Sequence, residues 1–391
     1  LSLTCGGTVA SGSTFTVTNA NGKTVVFTAT TTSASDAAAG VLALLQASPE
    51  PEFQESTYSV LGAVITVTGP ANGANISFAT AAGGSGSPTF VTATVTSGTG
   101  PNYWSNTANW STGSLPASTD NVIADGPNLP PILYALDAHT ILPTTFTVGN
   151  NVDSAFSIGL PPQNTKGYAE WRGQYLQLGA TTFNVGGAPT RIKLAAGSTA
   201  TTFNINATGT AQSGEQIVTL TGSSITSLNV NNGAVGVAYQ PGETSTVTTL
   251  RIAAGANATS SVVAGVGLTL TTLDWSGGTV ALAAAVTTIL GYGGVLTITG
   301  SGAVTTATIY GGSLSYQSTG TITTLNVGGN GLASFREDLR SRTVTNCTLY
   351  EGGQLFDPYH TCTFTNGVIL PDADITGVTL AIGTGRTVTI T

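Results

Sequence analysis

The chain has 391 residues and a formal net charge of −8, and only 7% of its residues are charged. Its ten scattered cations form no phosphate-binding face, which excludes nucleic acid as a partner, and no apolar run reaches the ~18 residues of a membrane span. Low charge with abundant Thr, Val and Gly excludes a disordered tail and points to β-structure with many tight turns.

Residues 1–95 read as a small α+β domain for attachment or oligomerisation. The opening LSLTCGG lacks the charged and apolar regions of a signal peptide, so export is left open. STFTVTNANGKTVVFTAT is two alternating runs around Asn-Gly, the dipeptide that tight hairpin turns favour. SASDAAAGVLALLQAS follows as a helix, with Ser35 or Asp36 as cap and Ala38, Val41, Leu42 and Leu45 on one face. Tyr58–Val60 and Val64–Thr68 are strand-like and complete a ββαββ order with the helix on one face of an antiparallel sheet, and Ile76–Phe78 is strand-like again. The Gly/Ser/Thr-rich run 81–101 reads as a connection with one strand in its middle.

Residues 96–180 read as a linker and capping segment with the first strands. They hold Trp104, Trp110 and Trp171, bulky side chains suited to covering an open solenoid end.

Over residues 181–391 one phrase recurs: TTLRIAAG, TTLDWSGG, TTILGYGG, TTATIYGG, TTLNVGG. Aligned on its first inward-looking residue, a column reads Phe183, Phe203, Leu228, Leu250, Leu273, Ile289, Ala307, Leu325, Cys347, Cys362, Val378. Two residues later a second column reads Val185, Ile205, Val230, Ile252, Trp275, Gly291, Ile309, Val327, Leu349, Phe364, Leu380. Polar residues alternate between them, which is the period of a strand. One short strand per repeat cannot bury its face alone, but stacking it on the next repeat can. The sequence therefore predicts a mostly β protein, a parallel β-solenoid (β-helix) of about eleven coils behind the small α+β domain. Eleven coils at ~4.8 Å make a stack of roughly 50 Å, right-handed by the general rule for parallel crossovers. A β-sandwich or jelly roll would not hold matching phrases at a period of about 20 residues.

Several residues invite a chemical reading. FREDLRSR is the one dense charge run. Glu337 or Asp338 with Arg340 could serve as acid and clamp, or the run is a surface loop with local ion pairs. In a third reading Arg336, Glu337, Asp338, Arg340 and Arg342 form an interface between chains. Cys347 and Cys362 fall in one column on neighbouring coils, as a disulfide or a buried stack of small side chains. Together with Cys5 they give neither a disulfide framework nor a zinc motif. His139 and His360 stand in no triad or metal spacing. Asp357 and His360 in FDPYH could line up with Asp372 and Asp374 in PDADI near the C-terminus, where two Asp at i, i+2 could supply oxygen ligands to Ca²⁺, but the Gly and distal Glu of an EF-hand loop are missing. Acids in the coils do not repeat at a one-coil offset, as the paired carboxylates of a polysaccharide-cleaving solenoid would. Trp275 falls in an inward column and reads as core. Sequons at Asn206 and Asn257 are what an Asn- and Thr-rich chain produces by chance.

Residues 11–80, with FTVTNANGKTVVFTAT, an Ala-rich helix and PEF, resemble a small domain of structural proteins of tailed-bacteriophage virions and of large bacterial surface proteins. NYWSNTANWSTGSLPASTDNV and a Thr/Gly-rich β-helix follow in the same order, and the Trp-containing segment is also similar to one in exported bacterial β-helix proteins. The chain departs from that pattern at GPANGANISFAT. The resemblance implies a non-enzymatic role at a virion surface, as a head decoration, fibre or tail-associated protein. It further implies self-association as a homotrimer and contact with other virion proteins. An extracellular or cell-surface adhesin or filament subunit, with glycans as partners, is the alternative, and a carbohydrate-active β-helix is the third. No cofactor is expected.

Overall fold

The computed structural model describes residues 1–19, 22–54, 56–69, 76, 78–95, 107–127, 129, 132–133, 143–152, 157–159, 180–186, 191–195, 199–206, 218–222, 224–253, 261–371, 376–383 and 387–390. The chain divides into two compact units; Leu1–Leu115 falls in the first, Pro116–Pro131 and Tyr175–Thr391 in the second.

The first unit is an antiparallel sheet with a helix on one face. Its strands are β1 (Ser2–Asn19), β2 (Thr24–Thr28), β3 (Thr57–Leu61), β4 (Val64–Thr68) and β5 (Phe78–Ala93). The sheet order is β2-β1-β4-β3, and β5 pairs with β1 along nearly its whole length. The helix Ala34–Ala47 turns Ala37, Ala38, Val41 and Leu45 toward a core that includes Phe15, Val17, Ile65 and Val67. Its cap is Ser33, not Ser35 or Asp36: the Ser33 hydroxyl accepts a 3.1 Å hydrogen bond from the Asp36 amide. Leu42, expected on the buried face, is only partly buried.

Two further expectations change here. β1 begins well before the alternating run, and β5 runs from Phe78 to Ala93, where the sequence predicts one short strand inside a connection. At Gly7 (φ +71°) an added Cβ would lie 2.3 Å from the Ser87 carbonyl oxygen, and at Gly84 (φ +79°) 2.2 Å from that of Gly12. These glycines do not break the strands. They let two long strands bulge past each other, with a register shift between Val9 and Ser13. The buried Ser13 hydroxyl settles the bulge, accepting from the Ala10 amide at 2.9 Å and donating to the Ser85 carbonyl at 2.6 Å.

The second unit is a parallel β-solenoid of about 10 turns. A typical coil gives one strand to each of two stacks. In the first stack Val122, Phe146, Phe183, Phe203, Leu228, Leu250, Leu273, Ile289, Ala307, Leu325 and Cys347 pair in register and are buried. In the second, Ile192, Val218, Val235, Val262, Val280, Leu296, Leu314, Ala333 and Leu355 do the same. The Phe183 and Phe203 rings stack at 4.8 Å with planes 9° apart, as identical side chains on successive coils should. Trp275 is fully buried in the second inward column, and Gly291 above it makes room: a Cβ there would lie 2.8 Å from the indole.

The stack reaches back to Asn121–Ala124 and Thr145–Val148, inside the segment read as linker and cap with first strands. At the other end two assignments are corrected. Cys362 does not stack on Cys347; its register partner is Arg342, and Cys347 is followed by Val368. Phe364 likewise lies beside Val344, and Leu380 beside Leu355 in the second stack, so Val378 starts no coil of the first. The steps Cys347 to Val368 and Val368 to Val388 keep the period near 20.

Candidate functional site

The charge run forms the corner between the strands Leu332–Ser334 and Arg342–Leu349. Phe335 anchors it in the core against Tyr316 and Phe364, with ring centroids 6.0 and 6.1 Å away. Arg342 is buried too, with no side-chain exposure. Its guanidinium donates to four backbone carbonyls: Tyr316 at 2.6 Å, Phe335 at 3.3 Å, Asp338 at 2.7 Å and Arg340 at 2.8 Å. The planar fork of five donors suits this task. Arg342 is therefore an internal tie for the loop.

Asp338 takes two hydrogen bonds from the Arg340 Nε, at 2.8 and 3.1 Å, and one from the Arg340 amide at 2.8 Å. The side-chain bond from Arg340 holds the Asp338 carboxyl down at about 2. Burial works to raise the Glu337 carboxyl, but hydrogen bonds from Ser334, at 2.8 and 3.1 Å, and from Arg336 leave it below its usual range. Both acids are thus stabilised as carboxylates, the opposite of the raised value a general acid needs. Arg336 and Leu339 project from this corner, with Leu339 72% exposed.

Asp357 is fully buried and accepts from the Thr361 amide at 2.9 Å, the Thr361 hydroxyl at 3.0 Å and the Cys362 amide at 3.0 Å. It closes the turn in which His360 takes φ +58°. These bonds give Asp357 a structural role. Cys5, Cys347 and Cys362 are buried and form no disulfide, and burial pushes the Cys5 and Cys347 thiols up to about 12. Among the described residues no three His, Cys, Asp or Glu side chains gather to hold a metal. His139, Trp104, Trp171, Asn257, Asp372 and Asp374 lie outside the described residues.

The outward face of the first stack is a second candidate. Thr145, Thr182, Thr202, Ser227, Thr249, Thr272, Thr288, Thr306 and Thr324 run in one column. Two residues on, Asn184, Asn204 and Asn229 form an amide ladder. Asn204 Nδ2 donates to Asn184 Oδ1 at 2.9 Å, and Asn229 Nδ2 to Asn204 Oδ1 at 2.8 Å. Arg251 and Asp274 continue that column as a 3.7 Å ion pair, and Leu290, Thr308, Asn326 and Thr348 follow uncharged. One position past the second inward column stand Tyr292, Tyr310, Gly328 and Tyr350. All three tyrosines are exposed. The columns are legible as alternation, and the repeated phrase carries the tyrosines in GYGG, IYGG and LYEGG, just past the inward residues that define it.

No family model matches the chain, no curated protein aligns with it, and no solved structure matches it.

Proposed function

We propose that the protein is a non-enzymatic structural component of a surface, a head decoration, fibre or tail-associated protein of a virion, which self-associates as a homotrimer. The observation that carries this is the in-register parallel stack, tied from coil to coil by buried apolar columns and by side-chain amide ladders. Such a stack is built for stiffness and persistence, since every coil is held by its neighbours. The resemblance of the first domain to virion proteins supports the particle assignment. The tightly ion-paired corner, with Arg336 and Leu339 projecting, is a surface suited to packing against a copy. An extracellular adhesin or filament subunit is the second reading, favoured by the exposed tyrosines.

Light scattering on the purified chain, native and after mild heating in detergent, tests the proposal. A heat-resistant trimer is expected. A monomer at all concentrations overturns it. Co-purification with particles, as against envelope, then separates the two readings.

A further inference from the structure

The tyrosine patch is set apart from the rest of the outer face. The Tyr292 and Tyr310 rings stack with centroids 6.0 Å apart and planes at 24°, so they form one ordered surface. They are 53% and 51% exposed, and Tyr350 is 44% exposed. Gly328 separates Tyr310 from Tyr350. A Cβ there would press on Tyr350 Cβ at 3.0 Å, so the glycine gives Tyr350 room to lean into the interval. Alongside run Thr308, Asn326 and Thr348, each able to donate and accept. No charged residue stands in these columns between Tyr292 and Tyr350.

We propose that this patch binds a neutral polysaccharide. Tyrosine offers a rigid apolar ring with a polar tip at low entropic cost. The C–H face of a sugar ring packs on such a surface while its hydroxyls exchange hydrogen bonds with Thr and Asn. An anionic polymer would find no cation in these columns, and the exposed Glu351 beside Tyr350 would repel it. A second copy of the chain would find too little area. Three coil steps span about 14 Å and three outward positions a similar width, roughly 200 Å² against the ~800 Å² per partner of a stable protein interface. The inference does not depend on the particle assignment or on the trimer.

The test is affinity electrophoresis of the full chain through gels containing soluble neutral glucan or mannan, with co-sedimentation on cellulose and chitin. The variants are Tyr310→Ala, Tyr350→Ala and the triple change with Tyr292→Ala. Tyr359→Ala is the control, since it is 60% exposed and outside the column. All alter exposed side chains, and far-UV dichroism and melting confirm folding. Retention of the wild type on at least one polysaccharide is expected, weakened at least tenfold in the triple variant and unchanged in Tyr359→Ala. Failure of the wild type to bind any of the four overturns the proposal, as does equal retention of the triple variant. Loss of oligomeric mass in the triple variant with retention intact would overturn it in favour of a self-contact.

Discussion

Replacing Arg342 with Met keeps the bulk of the side chain and removes its five donors. The guanidinium bonds the Tyr316, Phe335, Asp338 and Arg340 carbonyls. Phe335 O keeps a bond from the Thr361 hydroxyl at 3.3 Å, and the Asp338 and Arg340 carbonyls lie near the loop surface, where water can replace the lost donor. Tyr316 O loses its enclosed 2.6 Å partner. An orphaned buried carbonyl costs about 1–3 kcal/mol, and a hydrogen bond to a charged group contributes about 1.5–3 kcal/mol. About 3 kcal/mol is expected, a roughly hundredfold change in local opening. Because coils depend mainly on their neighbours, the loss should stay local. Hydrogen exchange should show it in the amides of Arg342–Leu349 and the coil beyond, with Val286–Ile298 unaffected. Arg342→Lys should fall between, since an ammonium reaches fewer carbonyls than the planar fork. Wild-type protection in Arg342→Met would refute the idea that this arginine ties the corner down.

Asn204→Leu removes two ladder bonds from a half-buried position and should cost about 1 kcal/mol, read as a lowered thermal midpoint by far-UV dichroism; an unchanged midpoint would show the ladder to be ornamental. Asp338 has its folded-state value depressed to about 2 from 3.8, so its contribution is present above pH ~4 and is lost as pH falls from there toward 2. The protection factor of the Arg340 amide should drop across that window and be flat in Asp338→Asn; the same slope in both would sink the assignment. Cys347, with its thiol pushed up to about 12, should resist iodoacetamide at pH 8 until the chain is unfolded. Mass spectrometry should also find no Cys347–Cys362 disulfide after mild oxidation, because the two are not register partners.

The repeat was legible because each copy spells its burial pattern: two polar positions, then apolar, polar, apolar, then a turn. Where loops stayed near their usual length, from Phe183 to Cys347, column and register agree. The same phrase is present earlier as TTFTVGN, but the long gap between Phe146 and Phe183 hid it in a segment read as a cap. Near the C-terminus TCTFTNG imitates the phrase closely enough to draw Cys362 into the wrong column. Alternation alone cannot tell one inward column from another, and a step of 15 residues lies too close to the 16 between Leu273 and Ile289 to expose the difference. The Arg342 tie was invisible for a different reason. A charged residue reads as surface unless its partners are known, and here most of the partners are backbone carbonyls that carry no sequence signature.

Stacking coil on coil also decides how this object fails under load. Tension applied between the ends of the solenoid would meet its coils in series, each held by a few backbone bonds to the coil before it. Force would therefore peel one coil at a time, and each release would free about 20 residues, some 70 Å of chain at full extension. The asparagine ladders and the Arg342 corner would act as stiffer rungs in that sequence, and the stretch trace would be a staircase with its tallest steps where those side chains stand.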